Sequence, residues 1–153
     1  ISSGTAEANG VPGIVRAADT GAIRGVIVGL GTQEGLIANP SNLDTTIRPA
    51  AAQSTTWYAM VVDDPNVIFE IQEGGTPMTA ADVGLNTNLT ITDANNYVSQ
   101  VVLDNADKAV GATLQVKLLG LARYPAGANS FGQYAKWLVK INNHELAAGT
   151  AGL

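Results

Sequence analysis

The chain has 153 residues, no cysteine and a formal net charge of −5. This length suits one domain with a sizeable core, and the lack of cysteine excludes disulfides and thiolate metal sites. Only 14% of the residues are charged, against about 25% in an ordinary soluble domain, so we expect Thr and Asn, 26 residues together, to supply much of the polar surface.

The distribution of charge and hydropathy argues against two classes of partner. Lys and Arg form no cluster along the chain, so we expect no nucleic-acid partner. The longest uninterrupted apolar run, 57–62, is far shorter than a membrane span, so we expect no membrane partner. A surface poor in charge is weakly protected against association, which favours a protein that packs against neighbours.

Both ends of the chain are small, polar and rich in glycine. Residues 1–13, ISSGTAEANGVPG, predict an extended N-terminal arm, which fully stretched would reach about 45 Å and could cross onto a neighbour. Residues 147–153 predict a flexible C-terminal tail, and 14–146 the β domain between them. The candidate protein-interface residues are Ile1, Val11, Pro12, Ile14, Trp57 and Leu153.

The first strands are predicted at 14–18 and 23–30, and the second of them ends in a glycine-rich stretch, GVIVGLG, at 25–31. It resembles the opening of a dinucleotide-binding fingerprint, but Glu34 stands where the third glycine belongs, and Pro40 stops the helix that such a loop must open. We therefore expect no nucleotide cofactor. The glycines instead indicate a bend, a bulge or a close backbone approach.

The stretch TWYAMVVDDPNVIFEIQE, 56–73, predicts a hairpin whose turn is 63–66. In this register Val62 opposes Val67, Met60 opposes Phe69 and Tyr58 opposes Ile71. The face expected in the core carries Tyr58, Met60, Val62, Val67, Phe69 and Ile71, and the mixed face carries Trp57, Ala59, Val61, Ile68, Glu70 and Gln72.

Further strands are predicted at 89–92, 97–103, 114–121 and 137–142, separated by turn residues. Short helical pieces are compatible only with 79–83 and 130–135. No pattern persists long enough for the helix of a βαβ unit. The fold class predicted is therefore all-β, an antiparallel β-barrel or β-sandwich with an extended N-terminal arm and short or no helices.

Side chains that carry chemistry are sparse. The single histidine, His144, lacks a nucleophile elbow elsewhere in the chain, and we interpret it as a strand-end side chain hydrogen-bonded to backbone. Residues 63–66 lack the spacing of a calcium loop and predict a β-turn. Asp104 with Asp107, and Glu70 with Glu73, are interpreted as solvated carboxylates. We expect no catalytic, metal or cofactor-binding residues and no enzymatic activity.

Four segments, taken in order, resemble the capsid decoration (cement, or head-stabilising) proteins of tailed double-stranded DNA bacteriophages. They cover about a quarter of the chain and are GVIVGL (25–30), VVDDPNVIFEIQE (61–73), ADVGLNTNL (81–89) and KWLVKINNHEL (136–146). The resemblance implies a β-barrel or β-sandwich on the exterior of a phage head. Such proteins have no catalytic motif, so no site residues carry over.

The resemblance implies a structural virion protein that bridges neighbouring major capsid protein subunits and associates with itself as a homodimer or homotrimer. It would be assembled in the host cytoplasm and located on the outside of the virion. Arms that order on a neighbour, repeated around a shell, suit this task. The alternative from the residues is a carbohydrate- or surface-binding β module of the tail-fibre or adhesin kind, and a small hydrolase using His144 is a third hypothesis.

Overall fold

The structure, a computed structural model, describes residues 1–6, 8, 10–31, 56–92, 100–123 and 127–153. Within these ranges the regular structure is β, apart from one turn of 3₁₀ helix at Ala80–Asp82. The prediction of an all-β fold with short or no helices is confirmed. The strands are β1 (Ser2–Ser3), β2 (Ile14–Val15), β3 (Val26–Gly31), β4 (Tyr58–Val62), β5 (Ile68–Gln72), β6 (Asn86–Thr87), β7 (Leu89–Thr92), β8 (Gln100–Leu103), β9 (Val116–Leu121) and β10 (Lys136–Ile141).

These strands pair antiparallel in one four-stranded sheet, of order β5-β10-β9-β6, and three ribbons, β1–β2, β3–β4 and β7–β8. The chain divides into two compact units. The larger comprises Ile1–Arg24 and Asp64–Leu153, and the smaller, Gly25–Asp63, contains ribbon β3–β4. The predicted β domain, 14–146, therefore has parts in both units. Among the described residues the sheets do not close into a barrel. Of the two predicted architectures, barrel and sandwich, the structure has the sandwich-like one.

The core of the larger unit lies between the four-stranded sheet and ribbon β7–β8. Alternate residues of β10 face this core, as the two-residue period of a strand requires. The ribbon contributes Leu103 and the partly buried Leu89, so two β layers enclose one apolar cluster, as in a sandwich. The buried members of the cluster are Met78, Leu103, Val116, Leu118, Leu121, Ala135, Trp137 and Val139.

The prediction of a hairpin in 56–73 is wrong. Strand β4 pairs with β3, and β5 pairs with β10, where Phe69 lies opposite Val139 and Ile71 opposite Trp137. A turn is present one residue later than predicted, at 64–67, because Val67 N–H donates to the Asp64 carbonyl at 3.2 Å. Alternation and turn chemistry are local, and they leave the pairing partner open. The face assignment is confirmed for β5, whereas Met60 on β4 is 40% exposed instead of buried.

Strand β3 contains the glycine-rich stretch, and the backbone feature predicted there is confirmed. Val28 is an extra residue in the register, since Ile27 lies opposite Val61 and Gly29 opposite Met60, which is a β-bulge. A Cβ on Gly25 would collide with the carbonyl oxygen of Val62. The glycine therefore permits a close approach of the two backbones where the ribbon begins. The continuation of the stretch beyond residue 31 lies outside the described residues.

Several amide side chains are buried in the larger unit, among them Asn86, Asn88, Gln115 and Asn142, although we expected Asn to supply polar surface. Gln115 is fully buried, and its Nε2 donates to the carbonyls of Ala18 at 2.8 Å and Gly21 at 2.9 Å. Its Oε1 accepts from Leu89 N–H at 2.9 Å. One side chain thus joins the loop after β2 to the start of β7. Such a group stabilises only while all its partners are present.

Replacement of Gln115 by Leu is expected to lower the free energy of unfolding by about 3 kcal/mol, because Leu89 N–H and two carbonyls lose a buried partner. The measurement is the urea unfolding midpoint at unchanged slope. Gln72→Leu is the matched control, since Gln72 is exposed on β5, and it is expected to stay within about 0.5 kcal/mol. Equal effects of the two substitutions would show that Gln115 does not connect these segments.

Candidate interaction surfaces

The six predicted interface residues are distributed over both units. Four of them belong to the N-terminal hairpin of the larger unit, with Pro12 and Ile14 exposed and Ile1 and Val11 half-buried. Leu153 is 89% exposed as a residue and lies beside Gly84. Trp57 belongs to the smaller unit and is half-buried, and its indole N–H has no hydrogen-bond partner among the described residues.

The N-terminal segment is extended, but its described part lies along its own chain. Ser2 pairs with Val15 and Ser3 with Ile14, and Gly4 N–H donates to the Gly13 carbonyl at 2.7 Å. This hairpin is fixed to the body of the unit at several points. The Ile1 carbonyl accepts from Arg24 N–H at 2.8 Å, and the Ser2 hydroxyl donates to the Ala22 carbonyl at 2.6 Å.

The strongest polar contact of this segment is with Glu145. Ser3 N–H donates to Glu145 Oε1 at 2.8 Å, and the Ser3 hydroxyl donates to Oε2 of the same carboxylate. The hydroxyl hydrogen bond, the backbone hydrogen bond and the positive charge of Arg24 hold the pKa of Glu145 below its usual range. These contacts favour the ionised carboxylate. The N-terminal segment would have to leave this carboxylate before it could extend onto a neighbour.

The segment for which we predicted a flexible tail, 147–153, is hydrogen-bonded to the larger unit along much of its length. Thr150 N–H donates to Asn142 Oδ1 at 2.9 Å, and the Thr150 carbonyl accepts from Asn86 Nδ2 at 2.8 Å. Gly152 N–H donates to the Val110 carbonyl and Leu153 N–H to the Gly84 carbonyl, both at 3.0 Å. The backbone is therefore docked, and the side chain of Leu153 projects from a fixed position.

Ribbon β3–β4 exposes an unusual amount of apolar side chain for its size. Its exposed large apolar residues, with 38–59% of their surface accessible, are Val26, Ile27, Val28 and Met60. A two-stranded ribbon is marginally stable in water unless another surface covers it. The strand period places Val26 and Met60 on one face of the ribbon and Ile27 on the other. The glycine-rich stretch that resembled a phosphate loop thus contributes most of the exposed apolar side chains of the ribbon.

A cleft of about 420 Å³ lies at the end of β9, lined by Leu121, Arg123, Gly127, Asn129, Ser130 and Phe131. Asn129 is already engaged, since its Nδ2 donates to the carbonyls of Ala122 and Lys136 and its Oδ1 accepts from Lys136 N–H. Its side chain therefore holds the loop in place. Phe131 packs against Trp137 with 5.6 Å between ring centroids.

The lysines form a cluster that the linear sequence does not show. Lys136 and Lys140 lie on the side of β10 opposite its buried residues, and Lys117 pairs with Lys140 across the sheet. The expectation that basic residues form no cluster is correct along the chain and wrong on the folded surface. Strand pairing brings together residues that are more than twenty positions apart in sequence.

The predicted role of His144 agrees with the geometry, and the predicted β-turn is present with its bounds shifted from 63–66 to 64–67. His144 is buried, and its Nδ1 accepts from Leu146 N–H at 3.0 Å, so this nitrogen serves the backbone. Asp64 Oδ1 accepts from Asn66 N–H at 2.8 Å, as in an Asx turn. Within the described ranges, no group of three His, Asp or Glu side chains is placed to hold a metal ion.

The interpretation of Glu73 as a solvated carboxylate is wrong. Glu73 is fully buried, and its Oε2 accepts from Trp137 Nε1 at 2.9 Å and from Met78 N–H at 3.2 Å. A buried indole N–H requires an acceptor. Trp137 was therefore the sequence feature that could have indicated a buried acceptor such as Glu73. Glu70, in contrast, is exposed and forms an ion pair with Lys136 at 3.4 Å. The two glutamates therefore have different environments and no shared site.

None of the helical structure in the described part of the chain is long and apolar enough to cross a membrane. The chain matches no protein-family model, no curated protein and no solved structure. The surfaces described above therefore carry the functional interpretation.

Acidification is expected to release the N-terminal hairpin. Because the pKa of Glu145 is lowered in the folded state, its contribution to stability is complete above the usual glutamate pKa and is lost as the pH falls through the folded-state value. Hydrogen exchange at Ser3 N–H, corrected for the intrinsic pH dependence of exchange, should therefore lose protection in this acidic range.

Glu145→Gln is the control, because the amide keeps an acceptor but does not titrate. In this variant we expect reduced protection at Ser3 that no longer changes with pH across the same range. A pH dependence that survives the substitution would show that another group holds the hairpin.

Proposed function

We propose that this protein is a structural component of a bacteriophage virion, which binds the outer surface of the capsid and stabilises it by bridging neighbouring major capsid protein subunits. Two arguments support the proposal. The first is the resemblance of four segments to capsid decoration proteins, and the second is the exposed apolar surface of ribbon β3–β4. Under this proposal the protein assembles in the host cytoplasm and forms a homodimer or homotrimer on the head.

The apolar ribbon is the observation that carries the proposal. Covering a half-exposed Val or Ile side chain contributes about 1 kcal/mol to an association, so a few such residues give only a weak contact. Weak contacts suffice when they are repeated on a closed, symmetric shell, because each attached copy bridges subunits that are already held in place. Stabilisation then arises from area buried between subunits.

The low charge of the chain supports the same role. With only 14% charged residues, much of the surface can be covered without burying an unpaired charge, which is the costly part of forming an interface. The buried amides stabilise the fold by hydrogen bonds inside the larger unit. The stability of the fold therefore does not require many charged side chains on its surface.

The alternative, a carbohydrate- or surface-binding β module, needs aromatic side chains exposed on one face. Trp137 is fully buried in the core, so it is not available for such a face. Phe131 and Tyr134 are the aromatic residues with large exposed surfaces in 127–153. Clear binding on a glycan array that is lost in Phe131→Ala would favour this alternative over the capsid proposal.

Val28→Asp is expected to weaken attachment to expanded phage heads at least tenfold, because the new carboxylate would be covered without a partner. Co-sedimentation of the purified protein with heads measures the attachment. Val110→Asp is the matched control, since Val110 is 56% exposed and Val28 is 59% exposed. Both positions are exposed, so neither substitution should unfold the chain. Equal attachment of the two variants would contradict a role for the ribbon.

Removal of residues 1–13 is expected to reduce attachment to the same heads if the N-terminal arm contacts a neighbour. Glu145→Gln separates this contact from simple loss of the hairpin, because it weakens docking on the chain itself and leaves the arm present. We expect attachment to fall in the truncated chain and to be kept in Glu145→Gln. Unchanged attachment of the truncated chain would exclude the arm from the interface.

A further inference from the structure

The outer face of the four-stranded sheet concentrates positive charge in an acidic protein. The whole chain has four lysines, and three of them, Lys117, Lys136 and Lys140, lie on this face. Their strand neighbours Leu118, Trp137 and Val139 point into the core, so alternation fixes the lysines on the opposite side. The formal charge of −5 is therefore unevenly distributed over the fold.

Two of these lysines oppose each other directly. Lys117 and Lys140 are register partners in the β9–β10 pair, and like charges at such positions destabilise a sheet. Their ammonium groups contact neutral acceptors. Lys117 Nζ donates to the Ala151 carbonyl at 2.9 Å and to Thr150 Oγ1 at 3.3 Å, and Lys140 Nζ donates to Asn66 Oδ1 at 3.0 Å.

The compensating charge on this face is small. Glu70 forms an exposed ion pair with Lys136 at 3.4 Å, a kind of contact that contributes little to stability. Neither Lys117 nor Lys140 has a carboxylate partner among the residues that the structure describes. The fold thus retains a cross-strand repulsion that a single neutral side chain would remove.

Apolar side chains share this face with the lysines. Ile68, opposite Lys140, is 56% exposed, and Leu119 is 39% exposed. Leu138 lies opposite Gly120, where an added Cβ would meet nothing within 4 Å. The face is therefore open at Gly120, and on β10 the apolar Leu138 lies between Lys136 and Lys140. An apolar centre with a polar rim is the usual composition of a protein–protein interface.

We infer that this outer face of β5, β10 and β9 docks a carboxylate-rich surface of a partner protein. Carboxylates would neutralise Lys117 and Lys140 together and cover Ile68, Leu119 and Leu138. A nucleic acid is the other polyanion to consider, but the strands of this face present no Arg and no aromatic side chain for bases to stack on. The inference rests on the proposed function in one respect, because the proposed function determines which protein supplies the acidic surface.

The test is binding of the full chain to immobilised poly-L-glutamate, with a DNA duplex as the comparison polyanion. We expect salt-sensitive binding to polyglutamate that falls at least tenfold in Lys117→Gln/Lys136→Gln/Lys140→Gln and severalfold in Lys140→Gln. Lys108→Gln is the matched control. Lys108 is the remaining lysine, it lies outside β5, β9 and β10 and pairs with Asp82 at 3.4 Å, and its loss should leave binding unchanged.

Thermal unfolding distinguishes a loss of binding from a loss of folding. Because Lys140→Gln removes a like-charge pair, it should unfold no earlier than the unmodified chain. Absence of polyglutamate binding, equal losses in Lys140→Gln and Lys108→Gln, or tighter binding to the duplex through the same lysines would each overturn the inference. No phage head is used, so these failures are distinguishable from failure of the capsid proposal, which the Val28→Asp experiment tests.

Discussion

The hydrogen bonds of the buried Gln115 amide hold together segments that have no regular pairing with one another. The strands of this protein are short, and several loops cross its larger unit, so backbone groups at strand ends need partners other than a sheet neighbour. Gln115 serves Ala18, Gly21 and Leu89, and Asn142 serves Ala112, Leu114 and Thr150 in the same way. Within the larger unit, this network fixes the loop at 18–21 and the C-terminal segment that carries Leu153.

Local features of the fold could be predicted from the sequence, and pairings could not. Strand β7, Leu89–Thr92, has the predicted bounds, and the glycine-rich stretch 25–31 contains a bulge at Val28 and a close approach at Gly25. These features follow from side-chain period and backbone sterics. The strand that pairs with β5 could not be predicted, since Tyr58–Val62 and Lys136–Ile141 both have alternating apolar residues. The observed pairing with Lys136–Ile141 places Ile71 opposite Trp137, which is buried in the core.

The candidate surfaces show the same division. The exposed β-branched residues at 26–28 lie in the glycine-rich stretch, which was predicted from the sequence as the end of a strand and not as an interface. The cluster of Lys117, Lys136 and Lys140 depends on the β9–β10 register, and the burial of Glu73 depends on a tryptophan far away in the sequence. Of the predicted interface residues, those in 1–14 are placed in a hairpin on their own chain, because Glu145 offers Ser3 two acceptors.

The edge strand β6 has only two residues, and the backbone near it is occupied by Ala109 and by the C-terminal segment. A neighbouring chain therefore finds few free N–H and C=O groups there to extend the sheet, which is how natural proteins prevent strands from adding indefinitely. Association at this side must proceed through side chains, whose contacts end when their surfaces are covered. Under the proposed role on a capsid, this limit prevents fibre growth at this edge, so that copies of the protein can form a layer.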